Sequence, residues 1–268
     1  NKSSLALFLS DLAKQTVLMM IIGAPLLWGA LWLMGSAGEY WWLYLWAAWM
    51  GFTLLMMWAY PAFIAPIFNK FTPLEDAELK SRVEDLLSRC GFKSQGIFVM
   101  DGSRRSGHGN AYFTGLGSNK RIVFFDTLLK TLSPEHIEAV LAHELGHFRR
   151  KHVIKNMGVM AVLSFISLAL LGWAAAEPWF YEGLGVTTQS NSMALVLFML
   201  VIPVFGFFLH PLMTAMSRKY EYEADDYAAS VSSGKHLIGA LVALYQENAS
   251  TLTPDPLVSA IYDSHPPA

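Results

Sequence analysis

Four stretches of this 268-residue chain, 16–34, 41–60, 157–176 and 193–209, contain no charged side chain. A helix needs about 20 apolar residues to cross the hydrocarbon core of a bilayer. Three of the stretches meet that length, and the fourth, at 17 residues, is short. The second carries Trp41, Trp42 and Tyr44 at one end and Trp58 and Tyr60 at the other, as residues anchored at two membrane interfaces would. Ordinary globular helices run to about three turns, so four long apolar helices buried in one soluble protein is the poorer reading. The expected fold is therefore mainly α and polytopic, with four transmembrane helices. A composition 54% hydrophobic and 15% charged agrees.

Charge placement tests this independently, because cytoplasmic loops collect Lys and Arg. Residues 69–156 hold 14 of the 19 basic residues, and the connections 35–40 and 177–192 hold none. Four spans then put the N-terminus, 69–156 and 210–268 on one face, which the rule makes cytoplasmic. A net charge of −2 and the lack of a basic stripe argue against a nucleic-acid partner. With Cys90 as the single cysteine, a disulfide framework and a thiolate metal cage are excluded, and Cys90 is expected to be a small buried hydrophobe. The chain opens without an initiator Met and reads as a fragment lacking both ends.

Four segments follow: two N-terminal spans in 1–68, a polar segment in 69–156, two further spans in 157–209, and a C-terminal segment in 210–268. The 69–156 segment reads as a small α+β unit. A helix near 75–90 lines up Leu79, Val83, Leu86, Leu87 and Cys90 on one stripe, and strands are expected near 96–101 and 121–125. Ser133-Pro134-Glu135 then opens a helix, with Ser133 as cap and Pro134 in the first helical position.

That helix contains His143-Glu144-Leu145-Gly146-His147. Residues four apart share a helical face, so both imidazoles can reach one Zn²⁺, and Glu144 can take a proton from a metal-bound water. Ile137, Val140, Leu141 and Leu145 form its buried face, while Arg149, Arg150 and Lys151 follow at the end where the helix dipole favours cations. A catalytic zinc needs a third protein ligand. Ser217 to Asp225 offers Glu221 and Asp225 on one face, either able to bind the metal while the other hydrogen-bonds a ligand histidine; Glu223 faces elsewhere. His108, His136, His152, His210 and His236 fit no metal pattern and receive no role.

These elements resemble the CAAX prenyl protease 1 family of integral-membrane zinc metallopeptidases, from about Phe68 onward. Asn69-Lys70-Phe71-Thr72-Pro73-Leu74 is similar to the family's stretch after a span, and Gly109 to Gly115, reading GNAYFTG, to its substrate-side strand. Val123 to Lys130 (VFFDTLLK) and Glu138 to Ala142 (EAVLA) lead into the zinc motif as in the family. Ser217, Arg218, Glu221, Ala224 and Asp225 match its S-R-x-x-E-x-x-A-D element, which selects Glu221 as third ligand and gives Asp225 the supporting role. Ser264-His265-Pro266-Pro267 matches an element whose histidine steadies the oxyanion. The family binds peptide as an added strand, which implies that Asn110 and Ala111 line the cleft.

The resemblance implies one Zn²⁺, a lipid environment, and a peptide or protein substrate. That substrate is prenylated at its C-terminus for the eukaryotic members, and a misfolded or membrane-associated polypeptide for bacterial ones. The short 177–192 connection favours a bacterial inner membrane over the endoplasmic reticulum. The family has further spans before the position of Asn1 and an arginine after that of Ala268. Alternatives are an HtpX-like membrane quality-control protease, which shares the zinc motif, and a non-catalytic membrane scaffold with a structural zinc; the scaffold would not need Glu144.

Overall fold

The computed structural model describes residues 3–114, 121–247 and 254–266, so Gly115 and Pro267 of the quoted motifs lie outside the described residues. In chain order the elements are α1 (Leu5–Ser36), α2 (Gly38–Phe68), β1 (Phe71–Pro73), α3 (Ala77–Arg89), β2 (Ile97–Met100), β3 (Ala111–Thr114), β4 (Arg121–Phe125), α4 (Asp126–Thr131), α5 (Pro134–Arg149), α6 (His152–Ala174), α7 (Pro178–Glu182), α8 (Asn191–Val231), α9 (Gly234–Glu247) and α10 (Pro256–Tyr262). α1, α2, α6 and α8 are long and apolar enough to cross a membrane, with only a small share of each apolar window buried. Large side chains such as Leu200 and Phe208 point outward, 69% and 70% exposed, as on a face that meets lipid.

The fourth span departs from the expectation of a short 17-residue helix. α8 runs for 41 residues without a break, about 61 Å at 1.5 Å per residue. The charges after Leu209 end the apolar stretch but not the helix, because Arg, Lys, Glu and Ala continue it readily.

The chain forms two compact units, one of Leu9–Met56 and Ile154–His210, the other of Asn1–Phe8, Met57–Val153 and Pro211–Ala268. In the first, Met34, Trp41, Leu171, Phe180, Tyr181 and Ala194 form the core. The Trp46 indole N–H donates to the Ala161 carbonyl at 3.0 Å. A Cβ at Gly172 would lie 2.6 Å from the Trp42 ring, so glycine lets the α2 indole rest on α6.

The second unit is built on a four-stranded sheet of order β1-β2-β4-β3. β2 and β4 run parallel, with Ile97 opposite Ile122, and β1 and β3 are antiparallel edges. Both expected strands form, two residues shorter at most, and β1 adds one that the NKFTPL stretch did not announce. Pro73 is tolerated there because an edge strand can spare a donor. The α3 stripe is buried as expected: Val83 and Leu86 are 0% exposed, and Asp76 caps the helix by accepting the Leu79 N–H at 3.0 Å. Cys90 departs from the reading: it is half-buried at the α3 end, and its thiol meets the Tyr227 hydroxyl. Arg89 ties three helices together, bonding Glu138 of α5 at 2.6 Å and the Val231 carbonyl ending α8 at 3.1 Å.

Candidate metal centre

α5 begins where the sequence places it. The Ser133 hydroxyl accepts the His136 N–H, and Pro134 opens the helix. Its buried face is Ile137, Leu141 and Leu145 with Ala139, Ala142 and Gly146, while Val140 is only half-buried. Burying a leucine or isoleucine side chain favours folding by about 1.5–3 kcal/mol, so this face fixes the rotation of the helix and the direction of His143 and His147. At Gly146 an added Cβ would lie 2.8 Å from Ala224 Cα and 2.9 Å from its carbonyl oxygen. The motif's glycine and the alanine of E-x-x-A-D therefore mark a close approach of α5 to α8.

That approach brings the candidate ligands together. His143 Nε2 lies 3.1 Å from His147 Nε2. Glu221, 7% exposed, sets Oε2 3.3 Å from His143 Nε2 and Oε1 3.5 Å from His147 Nε2. Asp225 Oδ1 meets His143 Nδ1 at 2.7 Å. An ionised carboxylate only accepts, so His143 carries a proton on Nδ1 and turns Nε2 to the centre. Two imidazole nitrogens and a carboxylate converging on one point repel one another unless protons or a metal cation sit among them. This donor set suits zinc and other borderline divalent ions, and within the described residues these three side chains can hold a metal.

Burial disfavours the His143 imidazolium, but hydrogen bonds to Asp225 and Glu221 outweigh it and His143 is pushed up to about 9, so a cation bound at Nε2 would take the place of a proton. Burial lifts the Glu144 carboxyl above its usual range, against the pull of His143 and His147. The hydrogen bond to Glu221 raises His265.

His265 reaches the site, with Nδ1 2.9 Å from Glu221 Oε2 and its side chain 68% exposed. Arg218, one turn before Glu221, holds the segment leading to it. Its guanidinium donates to the carbonyls of Ser259, Ala260 and Asp263 at 3.2, 3.0 and 2.7 Å, closing the end of α10, and Thr214 adds a bond to the Ile261 carbonyl.

Asn110 precedes and Ala111 opens β3, the sheet edge against which α5 packs. Asn110 is exposed, and its side chain accepts the Ala111 N–H at 2.8 Å. The Ala111 side chain, 3% exposed, belongs to the core, so it offers a ligand no side chain.

His152 and Glu223, given no role above, are bonded into the centre. His152 is 2% exposed. Its Nδ1 lies 2.9 Å from His147 Nδ1 and its Nε2 3.0 Å from Glu223 Oε2. A spacing of five is no helical-face spacing, and the contact exists because Lys151, at φ 58°, turns the chain between α5 and α6. Glu223 does face away from the metal position, but toward His152.

Residues 73–268 match peptidase family M48, and residues 1–70 match the family described as CAAX prenyl protease N-terminal, five membrane helices. The chain is 38% identical to "CAAX prenyl protease 1 homolog" of Arabidopsis thaliana over 274 residues, covering 100% of this chain and 63% of the relative. It is 38% identical to "CAAX prenyl protease 1" of Saccharomyces cerevisiae, covering 99% and 62%, and 29% identical to the human homolog, covering 100% and 64%. The crystal structure of S. mikatae Ste24p superposes with a TM-score of 0.92 at 36% identity, covering 99% of this chain and 65% of that one. The chain thus spans less than two thirds of the length of these three relatives.

Proposed function

The chain belongs to peptidase family M48, and on that premise we propose that it is a membrane-embedded zinc metalloendopeptidase of the CAAX prenyl protease type. The observation that carries the reading is the meeting of His143, His147 and Glu221 around one point, with Glu144 beside them. His143 Nε2, His147 Nε2 and the Glu221 carboxylate would hold the ion, and Asp225 orients His143. Zinc supplies Lewis acidity, bringing the pKa of a water molecule down to roughly 7. Glu144 takes the proton of the attacking water and returns it to the leaving amine. His265 donates to the carbonyl oxygen as negative charge grows there. Asn110 and the main chain of Ala111 align the peptide along the β3 edge, where backbone hydrogen bonds make little demand on its side chains.

The substrate is a peptide or protein with a prenylated C-terminal CAAX sequence, a reading supported by the names of the relatives, which also disfavour the HtpX-like and scaffold alternatives. The basic residues of 69–156 support a site facing the cytoplasm. Replacing Glu144 by Gln should leave one zinc per chain while peptide hydrolysis collapses, whereas Glu221→Ala should release the metal. Full hydrolysis by Glu144→Gln would overturn the enzymatic assignment. Matched farnesylated and unmodified peptides, cleaved with and without chelator, test the substrate class; equal rates on both would remove the prenyl requirement.

A further inference from the structure

We propose that His152 and Glu223 form a hydrogen-bonded chain that fixes the tautomer of His147 and so tunes the hold on the metal. The inference rests on the metal-centre reading above and adds two positioning residues to it. Glu223 as a carboxylate accepts only, so across the 3.0 Å contact the proton belongs to His152 Nε2. A His147 that turns its Nε2 lone pair toward His143 and Glu221 as a metal ligand keeps its proton on Nδ1. Across the 2.9 Å contact His147 then donates through Nδ1–H and His152 Nδ1 accepts. His143 is oriented by one carboxylate directly, and His147 by another through an intervening imidazole.

The local fold is built to hold this chain. His152 is 2% exposed and stacks on the Tyr220 ring at 4.3 Å with planes 13° apart, so its imidazole has little room to turn. Lys151 takes the left-handed backbone, φ 58°, which a residue with a side chain rarely adopts. That turn starts α6 with His152 brought back against α5, where continuing the α5 helix would carry residue 152 past His147. Tyr220 and Glu223 flank Glu221 on α8, so one stretch of helix supplies a candidate ligand, the stacking face and the terminal acceptor.

The test is zinc affinity of the full chain in detergent, read by competition with a chelator, for the parent, His152→Phe, Glu223→Ala and the double variant. Phenylalanine retains the volume and the stacking face but offers no acceptor. His152→Phe is expected to bind zinc 10- to 100-fold more weakly, the range seen when a partner of a metal-bound histidine is lost, with stoichiometry still one at saturation. Glu223→Ala should weaken binding in the same direction, and in the His152→Phe background it should add nothing. Affinity within threefold of the parent for both single variants, or losses that simply add, would overturn the inference. If His152→Phe does not fold, Glu223→Ala decides it alone. A parent that binds no zinc would overturn the metal centre itself, whereas a zinc-binding parent with indifferent variants overturns only the relay.

Discussion

Asp126, the first residue of α4, shows how a single side chain fixes a loop near the site. Its carboxylate accepts the Ser103 N–H at 2.8 Å and the Ser103 hydroxyl, and pairs with Lys130 at 3.3 Å. Burial alone would raise its pKa, yet these bonds outweigh it and hold the carboxyl below its ordinary value. A depressed carboxylate stabilises the fold above its unfolded pKa, about 3.9, and that contribution is lost as pH falls through the folded value. Asp126→Asn should therefore be less stable than the parent at neutral pH, with the gap closing below about pH 4. Thermal unfolding of both proteins across that range measures it, and a gap independent of pH would mean the ion plays no part. VFFDTLLK singled out this aspartate only as part of a family pattern; its partner Ser103 is 23 residues away and cannot be read from local spacing.

Between elements, the crossing of α5 and α8 decides whether a metal centre exists. Gly146 sits against Ala224 with no room for a Cβ. Within an isolated helix, alanine is favoured over glycine by about 1 kcal/mol. Here the sign should invert, because the new methyl meets backbone rather than a yielding side chain, an overpacking that costs typically 1–3 kcal/mol. Gly146→Ala is expected to lower the unfolding temperature and to lose zinc, since parting the helices draws Glu221 away from His143 and His147. A stabilised variant with full metal content would show that the crossing tolerates more space than its geometry allows. The H-E-x-x-H spacing made the two imidazoles legible in the sequence. The glycine between them carried no such signal, because its partner lies on a helix 78 residues further along.

For the molecule as a whole, the second unit joins 57–153 to 211–268, and the C-terminal segment is held to it by Arg218. Three carbonyls at the end of α10 converge on that guanidinium, and His265 follows two residues after Asp263. Arg218→Ala should therefore lower kcat through His265, by about 10²-fold if His265 steadies the oxyanion. Zinc content should stay at one, and Arg218→Ala combined with His265→Ala should be no slower than either alone. A double variant slower by the product of the two losses would show that the residues act independently. The sequence by itself determined the four apolar helices, the α3 stripe, two of the strands, the Ser133 cap and the paired imidazoles, because each follows from a local period or a fixed chemical spacing. Only the tertiary structure decided that α8 runs on past the apolar stretch, that Glu221 meets the histidines, that Ala111 turns its side chain into the core, and that His152 and Glu223 stand behind His147. These depend on which helices touch and on a left-handed residue between two of them, and contacts between distant segments leave no periodic trace in the chain.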